Sequence, residues 1–189
     1  MATPLCPADL LALSGADAIA FAHAQFTSDV ATLAVGEWQW SAWLDAQGRV
    51  RCFFALLHVA PSQLVAWLPL GGAGPMRDAL ARFVFRAAVT LDASTWVLHA
   101  LEESAVPLAA QSPQVIAHAG GYALRQPGTL ERLAWLAPNA APTDPLALDR
   151  WRLADIEAGL PLLAASLAGE FVAQALDLER LDAIRFDKG

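Results

Sequence analysis

The chain has 189 residues, 19 acidic against 12 basic side chains, a formal net charge of −7, and 56 % apolar but only 16 % charged residues. That length supports one domain with a substantial core, and the acidic balance with a single lysine, Lys188, argues against a nucleic-acid partner, because neutralising phosphates takes clustered Lys and Arg. Cys6 and Cys52 are the only cysteines, without CxxC or Cys/His spacing, so the sequence predicts no metal, no disulfide framework and a reduced, cytoplasmic setting.

The first basic residue is Arg49, and Asp9 and Asp17 interrupt the early apolar run, so no secretory signal is expected. Ala8 to Gln25, with Leu10, Leu13, Ala16, Ala20 and Ala24 in the pattern, predicts one or two helices. Trp38 to Leu44 reads as a strand with Trp38, Trp40 and Ala42 on one face and Trp43 on the other. Asp45 to Gly48 is a turn. Val50 to Val59 and Gln63 to Leu70 follow as strands, completing an antiparallel meander. Cys52 to Met76 carries no charged side chain, but Pro61, Pro69 and the glycines after it break the run, which favours buried strands over a membrane span.

A helix is predicted from Pro75 to about Leu91, and a buried strand from Thr95 to Leu101, parallel to its neighbour because a helix precedes it. Ser112 to Ala119 reads as a short helix stopped by Gly120-Gly121. Tyr122 to Arg125 and Leu130 to Leu136 form a hairpin around Gln126 to Thr129. After a Pro/Ala linker, Leu146 to Phe186 reads as two or three helices. Leu160, Leu163, Leu167, Phe171 and Leu176 make an apolar stripe there, for packing on the same domain or on a second copy in a homodimer.

The chemistry concentrates at Gly71-Gly72-Ala73-Gly74. A glycine loop between a strand and a helix turns backbone N–H groups outward, and the helix N-terminus adds partial positive charge, which together suit a phosphate or pyrophosphate. No Gly-Lys-Ser/Thr follows, so this is not a P-loop, and Arg77 stands where a dinucleotide fingerprint needs its third glycine. Glu102 and Glu103 at a strand end are the carboxylates suited to general-base work. His99 and His118 lie nearby in sequence, and His58 reads as structural.

The order of elements resembles the GNAT superfamily of N-acetyltransferases over Leu10 to Leu136. Pro69-Leu70-Gly71-Gly72-Ala73-Gly74 is similar to that family's Gln/Arg-x-x-Gly-x-Gly/Ala loop at Gly72 and Gly74, and Gly121-Tyr122 to its Gly-Phe. Pro69 replaces the Gln/Arg, Ala117 stands where the family often has a tyrosine, and Leu64 to Leu70 holds no carboxylate. The resemblance implies an α/β (α+β) fold with a mixed, twisted sheet flanked by helices over residues 1–137, a linker over 138–145, and a C-terminal helical extension over 146–189. It also implies transfer of an acetyl group from acetyl-CoA to an amine. Gly71, Gly72, Ala73, Gly74 and Met76 would hold the pyrophosphate, and Glu102 or Glu103 would deprotonate the acceptor. The alternative is a catalytically inactive binding or assembly module of the same fold, acting through its apolar surface and C-terminal helices.

Overall fold

A computed structural model describes residues 2–108, 113–126, 132–139 and 141–187, apart from the Glu103 side chain. The chain is an α+β protein whose residues divide into two compact units, one of Asp9–Ser94 with Pro161–Gly189, the other of Met1–Ala8 with Thr95–Leu160. Two strands, β1 (Ala2–Ser14) and β5 (Thr90–Leu101), each contribute residues to both units.

In the first unit, β2 (Trp38–Leu44), β3 (Val50–Ala60) and β4 (Gln63–Leu68) form the expected antiparallel meander. Trp43 pairs with Cys52, and Ala42 with Phe53. Alternation along the strands then sends Trp38, Trp40 and Phe53 to one face, where Trp40 stacks on Phe53 at 4.8 Å, and Trp43 to the other. The fourth strand is a correction. Residues 8–14, read as helix, form the end of β1 and pair antiparallel with β4, Leu11 opposite Ala66 and Leu13 opposite Leu64. A strand buried on both faces is apolar throughout, and its periodicity does not separate it from a buried helix. The helical pattern resumes only at α1 (Ala18–Gln25).

The helix after the glycine loop is shorter than its apolar pattern implies. α2 spans Ala73–Leu80, and a single 3-10 turn at Ala81–Phe83 ends it. The core lies between these helices and the sheet, with Leu11, Leu13, Phe21, Phe54, Leu56, Met76 and Leu80 all buried. Beyond Pro161 no α-helix forms among the described residues; 3-10 turns at Ala165–Leu167, Ala173–Leu176 and Leu178–Leu181 punctuate an irregular segment. That segment is tied to the meander. The Val50 N–H donates to Phe171 O at 2.7 Å, the Gly169 N–H to Val50 O at 2.8 Å, and the Thr27 hydroxyl to Ala183 O at 2.6 Å.

In the second unit, β5 pairs antiparallel, not parallel, with β8 (Arg132–Ala137), which pairs with β7 (Gly121–Gln126), which pairs with β6 (Val115–His118). The β7–β8 hairpin is as expected, although residues 127–131 of its loop lie outside the described residues. β6 replaces the short helix read over 112–119, whose first residue also lies outside them. Ala119 and Gly120 both have positive φ, 44° and 79°, the two-residue turn that joins twisted antiparallel strands. The Gly-Gly pair after Val115 to Ala119 thus marks a hairpin rather than a helix stop. α3 (Pro145–Glu157) starts at Asp144, whose carboxylate accepts the Ala147 N–H at 3.1 Å, with Pro145 in the first turn. No helix among the described residues is long and apolar enough to cross a membrane.

Candidate functional site

A cavity of about 220 Å³ opens in the first unit. Trp43, Arg51, Cys52 and Phe53 line it from β2 and β3, Pro69, Leu70, Gly71 and Gly72 from the glycine loop, Pro75 and Met76 from α2, and Leu162, Leu163, Ala165 and Ala168 from the C-terminal segment. The wall is mainly apolar. Its one formal charge is the guanidinium of Arg51, which stands 5.9 Å from the centroid of the Trp43 ring. A mainly apolar cavity with an exposed guanidinium at Trp43 suits a planar ring that carries an anionic tail. Burial pushes the Cys52 thiol up to about 11, against the opposing pull of Arg51, so it stays protonated at neutral pH and serves as wall rather than nucleophile.

Of the glycine-loop residues singled out in sequence, Gly71, Gly72 and Met76 line this cavity. The loop does sit between β4 and α2, as its composition indicated. Its central amides are not open, however. The Asp9 carboxylate accepts the Gly72 N–H at 2.9 Å and the Ala73 N–H at 3.4 Å. The protein's own anion therefore stands where a pyrophosphate would bind, and like-charge repulsion opposes a second one. Sequence reading passed over Asp9 because it lies 63 residues from Gly72, its one signal being a lone acid in an apolar run. Arg51, the cation at the cavity, was likewise passed over.

Glu102 follows β5 and is exposed, in the other unit from the glycine loop. The side chain of Glu103 lies outside the described residues. His99 is buried on β5 and tilts against the Trp135 ring at 4.7 Å, and burial lowers its pKa. The edge of the His118 ring meets the same Trp135 at 5.6 Å. His58 is structural as expected, its Nδ1 2.7 Å from Leu33 O. No group of three or more His, Cys, Asp or Glu among the described residues is placed to hold a metal.

No protein-family model matches the chain. An uncharacterised protein of Haemophilus influenzae is 28 % identical over 182 residues, covering 95 % of this chain and 61 % of that protein. A tRNA-modifying protein YgfZ of Colwellia psychrerythraea is 27 % identical over 200 residues, covering 95 % of this chain and 60 % of that protein. The chain therefore spans about three fifths of the length of these curated relatives. Among solved structures, the glycine cleavage system aminomethyltransferase T from Bartonella henselae superposes with a TM-score of 0.60 at 17 % identity, covering 80 % of this chain and 44 % of that one.

The fold is shared with aminomethyltransferase T. This overturns the GNAT reading, and with it acetyl-CoA as co-substrate, an amine as acceptor and the inactive GNAT-like assembly module. The resemblance rested on the order of elements, with helices before the meander and a helix running to Gly121-Tyr122. The molecule has strand β1 in the first place and strand β6 in the second. The exclusion of nucleic-acid partners by net charge falls as well, because relatives aligned over nearly the whole chain are named for tRNA modification. Net charge averages over the surface and says nothing of local arginines.

Proposed function

We propose that this chain works in tRNA modification in the cytoplasm and that it does so by holding a folate. The observation that carries the reading is the alignment with a tRNA-modifying protein YgfZ over 95 % of the chain. The fold of an aminomethyltransferase supports the small-molecule half, since aminomethyl transfer is one-carbon chemistry and folates carry one-carbon units. The cavity supports it further. In this reading a flat pterin head lies against Trp43 and Met76, with Gly71 and Gly72 at its edge, and the anionic tail meets Arg51.

Melting temperature with and without tetrahydrofolate tests the ligand. At about a hundred times its dissociation constant a ligand specific for the folded state adds roughly 2.7 kcal/mol, a rise of about 5–10 °C for a chain of this size. Arg51→Ala and Trp43→Ala each shrink that rise, and no rise at saturation overturns the folate. Mass spectrometry of nucleosides from the tRNA of cells with and without the protein tests the other half, which an unchanged profile overturns.

A further inference from the structure

The stretch that follows α2 sets exposed aromatic rings between arginines. It reads Ala81-Arg82-Phe83-Val84-Phe85-Arg86. Val84 packs against the core of the first unit, which turns its neighbours outward, and Phe83 and Phe85 are 55 % and 77 % exposed. Two exposed phenylalanines two residues apart offer aromatic ring area that a partner can cover. Arg82 and Arg86 flank them, both exposed and neither in an ion pair among the described residues, and the Arg86 guanidinium lies 5.1 Å from the Phe85 ring centroid. From Arg77 to Arg86 there are three arginines against one acid, Asp78, in a chain of net charge −7. Asp78 is already held by Arg77 at 2.8 Å.

We infer that Arg82 to Arg86 is an RNA-contacting surface that stacks an unpaired base on Phe85 and sets backbone phosphates against Arg82 and Arg86. This inference rests on the tRNA half of the function proposed above. Every base offers a ring face to an aromatic side chain, and guanidinium groups match phosphates in geometry and charge. With Arg86 over it and most of the ring still in solvent, Phe85 keeps area for a base. Charge complementarity selects RNA over an apolar protein cover, which would have to bury two guanidinium groups without partners.

The test is equilibrium binding of the full chain to bulk bacterial tRNA across a range of salt concentrations. Phe85→Ser should weaken binding by about fivefold to a hundredfold with little change in salt dependence. Arg82→Gln with Arg86→Gln should lower the slope of log affinity against log salt by about 1.5. Leu146→Ser, which removes an equally exposed apolar side chain on α3, should bind as the parent does. If Phe85→Ser does not fold by circular dichroism, the arginine pair still decides. Parent and variants binding tRNA alike, or a parent that binds none, overturns the surface. A tetrahydrofolate-induced rise in melting temperature that persists in both variants keeps the ligand reading separate from that outcome.

Discussion

Asp9 on β1 closes the head of α2 by accepting the Gly72 N–H at 2.9 Å. A second, longer bond from Ala73 at 3.4 Å makes the carboxylate a built-in anion at a helix N-terminus. Asp9→Ala should cost about 1–3 kcal/mol in urea denaturation, the range for a charge-assisted bond whose donors are left unmet. The vacated amides should then accept inorganic phosphate, so that phosphate raises the melting temperature of the variant and not of the parent. Equal responses in the two proteins would show that Asp9 does not occupy an anion site.

The pair Arg132–Asp155 in the second unit is buried, each side chain 8 % exposed, with 2.7 Å between Nη1 and Oδ1. Arg132 also donates to Trp151 O at 2.9 Å and lies over the Trp151 ring at 4.7 Å. Asp155→Ala removes the counter-charge from a buried guanidinium and should destabilise by about 3–5 kcal/mol, read from the urea midpoint.

Burial raises the pKa of Asp155 while Arg132 and Arg152 pull it down. An acid with a raised folded pKa binds its proton more tightly in the native state. Its contribution to stability is complete below the ordinary aspartate range and is lost as pH rises through the folded pKa. Asp155→Asn should flatten stability against pH just above the ordinary aspartate range. A profile unchanged by the substitution would assign the slope to other groups.

Cys52, pushed up to about 11 by burial, should react slowly with a thiol reagent at neutral pH and rapidly once urea unfolds the chain. The same shift makes stability fall between its ordinary value of 9.0 and about 11, since only the unfolded thiol ionises there. Cys52→Ser should lessen that alkaline loss. Labelling with Cys6→Ser as the background isolates the signal, because burial raises Cys6 too. Fast labelling of the native chain in that background would contradict the raised pKa of Cys52.

Gly15 closes β1 with its N–H on Ser62 O at 3.0 Å and a φ of 137°, and a Cβ there would strike the Ala88 carbonyl. Gly15→Ala combines a strained backbone with a backbone clash and should cost more than about 3 kcal/mol by thermal melting. A loss under 1 kcal/mol would mean the segment at Ala88 shifts freely.

The meander was legible because its strands are short apolar runs bounded by turn residues such as Asp45 to Gly48, and each pairs with the next in sequence. The opposite facing of Trp40 and Trp43 followed from a period of two alone. Of the candidate site, the glycine loop was placed correctly between strand and helix, because glycine and proline act locally.

What sequence could not decide is where distant residues meet. Leu10 to Leu13 is strand rather than helix only because β4 supplies its hydrogen bonds. The helical stripe from Phe83 to Leu91 was cut short once Val84 alone of Phe83, Val84 and Phe85 found the core. The loop amides belong to Asp9, and the cavity takes its walls from residues 43–53, 69–76 and 162–168. Local preference and period set which segments pair with their neighbours; burial and long-range hydrogen bonding, which no window of sequence contains, decided the rest.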